Sequence, residues 1–322
     1  MSQRVKVAAA HVSPVFMKPM ESAEKAAEWI RRAGADGIDL IVFPEVYLPG
    51  FPYWINNYPP LHQVAMNRRY QDASVEVNGP EIALIRTAAR EAGVVVVMGA
   101  SERAEGGRTC FNSAILIDKD GELVGVHRKL KPTYAERYIW GQGDGSGLWV
   151  KPTAAGRIGA LCCWEHTMNL ARQAIAEQQV QIHAALWPGL STMAGFEAVA
   201  DIQIDAMMRN HALTAQCFVV CASSPVTQEI MDFLEQEFGS ADMLAVGAGY
   251  SAVFHPFAAA VAGPKKGLEE GLVVAEIDLD DCSDAKMWLD GSGHYSRPDV
   301  LALLFDRRPK PTMVEMRDQL KE

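Results

Sequence analysis

The sequence has few of the residues that mark a disulfide-stapled, zinc-binding or membrane-spanning protein. Its 322 residues include only 6 cysteines, with no CxxC pair and no HExxH motif. This excludes a disulfide framework and any recognisable zinc-ligand spacing. The longest apolar runs, such as residues 94–98, fall far short of the roughly 20 residues that cross a bilayer.

Positive charge is also scarce. The chain carries 30 Lys and Arg against 40 Asp and Glu, which gives a formal net charge of −10. Binding to a nucleic acid or an anionic membrane requires a concentrated excess of basic side chains, so neither is expected as a partner. The N-terminal residues lack the apolar stretch of a signal peptide, which predicts a cytoplasmic location.

The composition that remains is that of an ordinary globular protein, with 49% hydrophobic and 22% charged residues. A chain of this length can bury a sizeable core, and no Pro/Ser-rich linker divides it. Strands and helices alternate in the first hundred residues. The residue pattern predicts strands at 5–10, 38–43 and 94–99 and helices at 23–30 and 81–91.

The alternation continues through the rest of the chain. A hairpin is predicted at 112–127, where Asp120-Gly121 supplies the turn. The later predicted strands are 157–163, 182–187, 217–221, 251–254, 258–262 and 272–277, and the later helices are 168–178 and 196–213. This series predicts an α/β fold with helices outside and mixed sheets inside. We expect one domain at 1–280 and, where the pattern weakens, a C-terminal arm at 281–322 that docks on a partner subunit.

Two charged residues follow predicted strands. Glu45 comes after an apolar strand and a proline, and Lys129 lies in a basic stretch that ends another strand. Strand ends of α/β proteins commonly carry chemistry, although each residue taken alone is more simply a solvated charge. The basic stretch continues into Tyr134, Tyr138 and Trp140, large side chains that a fully solvated loop rarely carries.

A cysteine pair ends a third apolar strand, just before a predicted helix. A cysteine at such a turn can face a pocket, with backbone N–H groups directed at the group it attacks. Strand alternation directs Cys162 and Cys163 to opposite faces, so at most one is the nucleophile. Cys162 and the other four cysteines are most simply buried apolar residues.

A glycine-rich segment at 141–147 resembles a phosphate-binding loop at first sight. It lacks the Gly-Lys-Ser/Thr ending and opens onto no helical pattern. We therefore interpret it as a flexible turn.

Glu45, Lys129 and Cys163, each at the end of a separate β segment, resemble the Glu-Lys-Cys triad of the nitrilase superfamily. Arg128-Lys129-Leu130-Lys131-Pro132-Thr133 and Cys163-Trp164-Glu165-His166 are similar to the true nitrilase branch in particular. The resemblance implies a four-layer αββα sandwich whose protomers pair into αββα-αββα units and extend into spiral oligomers.

The resemblance also implies a reaction. Cys163 would attack a small aliphatic or aromatic nitrile beside Glu45 as base and Lys129 as cation, giving the acid and ammonia with some amide possible. Glu136 would hold Lys129 or the attacking water, or be structural only. No cofactor and no metal are expected.

The predicted pocket wall consists of large side chains near the motifs. These are Tyr53, Trp54, Tyr134, Trp164, Trp187 and Met193. Two other functions stay open: an amidase or N-carbamoyl amidohydrolase with the same triad, and a non-catalytic assembly scaffold.

Overall fold

The fold is that of a computed structural model, which describes residues 3–310. Its strands are β1 Arg4–His11, β2 Leu40–Val42, β3 Val95–Arg103, β4 Cys110–Ile117, β5 Leu123–Arg128, β6 Val150–Thr153, β7 Gly156–Cys162, β8 Ile182–Trp187, β9 Phe218–Ser223, β10 Ser251–Phe254, β11 Ala260–Lys265 and β12 Gly271–Asp278. Its α-helices are α1 Pro19–Ala35, α2 Trp54–Asn57, α3 Val64–Ala73, α4 Pro80–Ala92, α5 Asn169–Ala176, α6 Ala200–Ala215, α7 Gln228–Phe238 and α8 Asp280–Trp288.

The strands form two six-stranded mixed sheets of matching design. The first has the order β12-β1-β2-β3-β4-β5 and the second β11-β10-β9-β8-β7-β6. In each sheet three neighbouring strands are parallel, β1-β2-β3 and β7-β8-β9, and antiparallel strands flank them. The parallel strands are buried on both faces, which explains their nearly continuous Val, Ile, Leu and Ala content.

Three apolar clusters define the layers. One lies between α1, α4 and the first sheet, a second lies between the two sheets, and a third lies between the second sheet and α5 and α6. Helices cover the outer face of each sheet and the inner faces pack together. This is the four-layer αββα sandwich that the resemblance to the nitrilase superfamily implied.

Some predicted elements differ from the observed ones. The strand predicted at 157–163 ends at Cys162, because Cys163 adopts a positive φ of 52° that cannot continue a strand. Helices α2, α3, α7 and α8 have no counterpart among the predicted elements. Helix α7 carries Ile230 and Leu234 at helical spacing, so apolar periodicity could have revealed it.

The chain after β12 stays close to its own domain. Helix α8 buries Cys282 in the cluster between the sheets, and farther along Phe305 packs against the third cluster. The backbone N–H of Lys310 donates to Asp144. Residues 311–322 of the predicted arm lie outside the described residues. Within the described part, no helix combines the length and apolar character needed to cross a membrane.

Candidate active site

Three strand ends bring together the acid, the lysine and the cysteine singled out in the sequence. Glu45 follows β2, Lys129 follows β5, and Cys163 follows β7. The first two strands belong to one sheet and the third to the other, so the site lies where the two sheets meet. All three side chains are buried.

The segment that carries Glu45 packs tightly against β3. A Cβ atom at Gly99 would lie 2.0 Å from the carbonyl oxygen of Pro44, so only glycine permits this approach. The backbone N–H of Glu45 donates to the carbonyl of Trp187, at 3.4 Å, across to the second sheet. These contacts fix the Glu45 backbone between the sheets.

The Lys129 ammonium lies between two carboxylates. Its Nζ is 2.9 Å from Glu45 Oε1 and 3.0 and 2.8 Å from the two oxygens of Glu136. Glu136 lies in the short helical turn 134–138, where Glu136 Oε2 also accepts from the Thr133 N–H. The structure therefore brings Glu136 directly to the lysine.

The backbone behind Lys129 is also fixed. A Cβ at Gly143 would lie 2.0 Å from the Arg128 carbonyl oxygen, and the Gly143 N–H donates to the Lys129 carbonyl at 2.9 Å. The interpretation of 141–147 as a flexible turn was therefore incomplete, since this segment packs against the lysine backbone.

Cys163 begins a tight helical turn, 163–167, immediately after its strand. The backbone N–H of Trp164 lowers the pKa of the Cys163 thiol, in opposition to its burial. The Cys163 carbonyl accepts from His166 Nδ1 at 2.6 Å. Cys163 belongs to the cluster outside the second sheet and Cys162 to the cluster between the sheets, which confirms that the two thiols face opposite sides.

Burial sets the protonation states at rest. It raises the pKa of Glu45 to about 7, although the Lys129 ammonium opposes the shift. Burial and the Glu45 carboxylate raise the pKa of Cys163 well above its usual value. Burial alone would lower the pKa of Lys129, but the carboxylates of Glu136 and Glu45 raise it well above its usual value. The resting site therefore holds a thiol beside a carboxyl group and an ammonium.

The two carboxylates and the thiol lie close together. One oxygen each of Glu45 and Glu136 and the Cys163 sulfur lie within 4.8 Å of one another. By spacing alone these three could hold a metal ion. Because the Lys129 ammonium already donates to both carboxylates, the positive charge that a metal would bring is supplied by the chain itself.

Three polar residues support this site and had no assigned role in the sequence. Asn112 Nδ2 donates to Glu45 Oε1 at 2.5 Å. Glu165 accepts from the Leu130 and Cys162 backbone N–H groups and pairs with His127. Glu165 and His127 lie within the two sequence motifs that contain Cys163 and Lys129, so the motifs could have indicated them. The only sequence signal for Asn112 is its position as a polar residue at the start of an apolar strand.

A cavity of about 250 Å³ opens onto Cys163 and Glu136. Its other lining residues are Phe51, Asn56, Asn57, Thr133, Tyr134, Trp164, Leu190, Met193, Ala194, Phe196 and Met243. Of the predicted wall residues, Tyr134, Trp164 and Met193 line this cavity. The Tyr134 side chain lies at its mouth and is 77% exposed.

The other three predicted wall residues are buried in the core. Tyr53 Oη accepts from the Gly189 N–H, Trp54 Nε1 donates to Asn67, and Trp187 stacks on His166. They do not line the cavity that opens onto Cys163. Contact of all six residues with a bound substrate stays a prediction.

Solved structures with this architecture include a carbon-nitrogen hydrolase from Helicobacter pylori G27. The two chains superpose with a TM-score of 0.71 at 19% sequence identity, over 99% of each chain. At this identity the similarity supports the shared fold.

Sequence comparison identifies the family of the chain. The family model for carbon-nitrogen hydrolases matches residues 6–287. The chain is 35% identical to a nitrilase from Pseudomonas syringae pv. syringae, over 99% of this chain and 94% of the relative. It is 38% identical to an aliphatic nitrilase from Rhodococcus rhodochrous, over 94% of this chain and 83% of the relative. The chain therefore belongs to the carbon-nitrogen hydrolases of the nitrilase superfamily.

Proposed function

We propose that the protein is a nitrilase that converts a small aliphatic or aromatic nitrile to the carboxylic acid and ammonia. The observation that carries this proposal is the buried cluster in which Lys129 lies between two carboxylates beside the Cys163 thiol. Relatives named as nitrilases at 35–38% identity support the same choice.

The first half of the reaction forms a covalent intermediate. Because the Cys163 thiol is protonated at rest, Glu45 accepts its proton as sulfur attacks the nitrile carbon. One C≡N electron pair moves to nitrogen, which the Lys129 ammonium and the Trp164 N–H stabilise until that nitrogen takes the proton held by Glu45, which leaves Glu45 a carboxylate again. The product of this half is a thioimidate on Cys163.

The second half releases ammonia and then acid. Water loses a proton to Glu45 and adds to the thioimidate carbon, giving a tetrahedral intermediate that carries an amino group. Once this group is protonated, its C–N bond breaks and ammonia leaves, so a thioester remains. A second water hydrolyses the thioester to the carboxylic acid and restores the thiol.

The tetrahedral intermediate also has a second route. If its C–S bond breaks before the C–N bond, Cys163 leaves and the product is an amide. The position of the proton shared between Glu45 and the amino group sets this ratio, since only a protonated amine leaves readily. Glu136 holds the Lys129 ammonium in place and so influences whether that proton lies on Glu45 or on the amino group.

Ammonia release from paired substrates tests the proposal. Phenylacetonitrile, benzonitrile and butyronitrile are each assayed beside the matching amide, with Cys163→Ala as the blank. Ammonia from at least one nitrile, with the acid as main product by chromatography, is the expected result. Activity confined to the amides would instead identify an amidase.

We also propose that copies of the chain associate and that the arm 281–322 contributes to the contact. Its described part exposes large apolar side chains, with Trp288 at 76% and Leu304 at 96% exposure. Clustered exposed apolar groups are typical of surfaces that a partner covers. A second copy of this chain is the proposed partner.

A further inference from the structure

We infer that Asn112 is a positioning residue that leaves Oε2 of Glu45 as the oxygen that accepts the Cys163 proton. This inference rests on the proposed role of Glu45 as the base. It adds an assignment of the two carboxylate oxygens and names the side chain responsible for their difference.

The two oxygens of Glu45 have different surroundings. Oε1 accepts from Asn112 Nδ2 at 2.5 Å and from Lys129 Nζ at 2.9 Å. Oε2 is buried and has no hydrogen-bond partner among the described residues. A buried carboxylate oxygen without a donor is costly. Oε2 is therefore the oxygen with unmet capacity to accept a proton.

Cys163 is the donor that this oxygen lacks. A carboxylate oxygen of Glu45 and the Cys163 sulfur lie within 4.8 Å, and both side chains are buried. A small movement on substrate binding closes this gap, as catalytic hydrogen bonds commonly tighten in the reactive complex. With both donors on Oε1, the carboxylate cannot rotate without losing them.

Asn112 also fixes the second member of the triad through its backbone. Its carbonyl accepts from the Lys129 N–H at 2.7 Å. The neighbouring pair in the sheet is Ser113 with Arg128. One residue on β4 therefore holds the Glu45 side chain and the Lys129 backbone, so the two donors on Oε1 share one anchor.

The Asn112 hydrogen bond also favours the charged form of Glu45. It lowers the pKa of this carboxyl, in opposition to the burial that raises it to about 7. The other titratable groups that act on Glu45 or are acted on by it are Lys129, Glu136, Cys162, Cys163, Tyr53 and Tyr70. None of these is changed by Asn112→Leu, which adds no charge, so a shift in the pH profile of that variant reports the lost hydrogen bond.

The test compares Asn112→Leu and Asn112→Asp with wild type, and uses Ser113→Ala on the same strand as the control. The Ser113 hydroxyl donates to Glu102 at 2.7 Å rather than to a triad residue. Two pH profiles are measured from pH 5 to 9: kcat/KM for a nitrile, and the iodoacetamide alkylation rate of Cys163 followed by peptide mass spectrometry. The alkylation profile needs no nitrile turnover.

Asn112→Leu should lower kcat by about ten- to a hundredfold with KM changed less than about threefold. The acid limbs of both profiles should move to higher pH, and more so for Asn112→Asp, since a second carboxyl competes for the same proton. Ser113→Ala should keep both wild-type profiles.

An unshifted acid limb in either folded Asn112 variant would overturn the inference, even if activity falls. If Asn112→Leu does not fold, the smaller Asn112→Ala decides, since it also removes the donor to Glu45 without adding a charge. If wild type releases no ammonia from nitriles, the proposed function fails, and the alkylation profiles still decide the role of Asn112.

Discussion

His127 Nε2 lies 2.8 Å from Glu165 Oε2, and both side chains are fully buried. The same carboxylate accepts from the Leu130 N–H at 2.8 Å and from the Cys162 N–H at 3.0 Å. Leu130 follows Lys129 and Cys162 precedes Cys163, so Glu165 ties the two catalytic segments together. Because His127 Nδ1 faces the Gly147 carbonyl, both ring nitrogens meet acceptors, which favours an imidazolium–carboxylate pair.

Glu165→Gln should destabilise the protein and slow the reaction. The amide cannot satisfy His127 and two backbone donors, so a buried charge loses its partner, at a cost of about 3–5 kcal/mol. Urea unfolding gives the stability change, and kcat should fall as the two segments lose their common anchor. Glu269→Gln is the control, since its exposed ion pair with Lys265 contributes at most about 1 kcal/mol. A fully stable Glu165→Gln would contradict the anchoring role.

The stability difference between wild type and Glu165→Gln should be largest at intermediate pH. Burial raises the pKa of Glu165, but His127 and the backbone donors lower it further, so its net shift is downward from 4.5. The contribution of the Glu165 carboxylate to stability is present above pH 4.5 and is lost as the pH falls through the lowered pKa of Glu165. Burial lowers the pKa of His127, but Glu165 raises it above 6.5 overall. The contribution of the His127 imidazolium to stability is lost as the pH rises through the raised pKa of His127.

The two adjacent thiols should behave differently on replacement. Cys163→Ala should give no ammonia above background and no covalent adduct by intact mass, because the nucleophile is gone. Cys162→Ala should retain most of the activity and lose about 1–2 kcal/mol of stability, since Cys162 packs between the sheets. The reverse pattern would mean that Cys162 is the nucleophile.

The pH profile of kcat/KM for wild type should have an acid limb near neutrality. Glu45 must be a carboxylate to accept the thiol proton, and burial raises its pKa to about 7. Activity should therefore rise as the pH increases through that value. A rate that is constant from pH 5 to 8 would exclude Glu45 as the titrating base.

Trp164→Ala should widen the substrate range. Trp164 lines the cavity and packs against Phe196, with ring centroids 5.4 Å apart. Removing the indole makes room for a larger substituent, so the kcat/KM ratio of naphthylacetonitrile to phenylacetonitrile should rise by roughly tenfold. Trp29→Ala is the matched control, because Trp29 lies on α1 against another cluster. An equal change in both variants would argue against a specificity role.

Removal of residues 290–322 should yield smaller assemblies by size-exclusion chromatography with light scattering. This truncation keeps α8, whose Cys282 packs between the sheets. A double change of the exposed Leu301 and Leu304 to serine should act in the same direction, whereas Leu61→Ser, 87% exposed elsewhere, should not. An unchanged elution profile would contradict the docking arm.

Much of the fold follows from local pattern. Alternating apolar strands and amphipathic helices predicted the layers, because each element must bury its apolar face against another. Helices α2 and α3 were missed since Pro59 and Pro60 separate them and break any periodic signal. The end of β7 was misplaced by one residue, because the left-handed backbone of Cys163 has no signature in an apolar strand.

The sequence by itself determined which residues could react. Glu45, Lys129 and Cys163 were recognisable because each follows an apolar strand and the three together resemble the nitrilase triad, and alternation showed that at most one of Cys162 and Cys163 is the nucleophile. The tertiary structure alone decided their chemistry, since protonation depends on burial and on charges that arrive from distant segments. Only the packed sheets place Asn112 on one oxygen of Glu45, and Glu165 on the backbone N–H groups of Leu130 and Cys162, which adjoin Lys129 and Cys163. These contacts join residues up to 67 positions apart, a distance over which local sequence pattern carries no information.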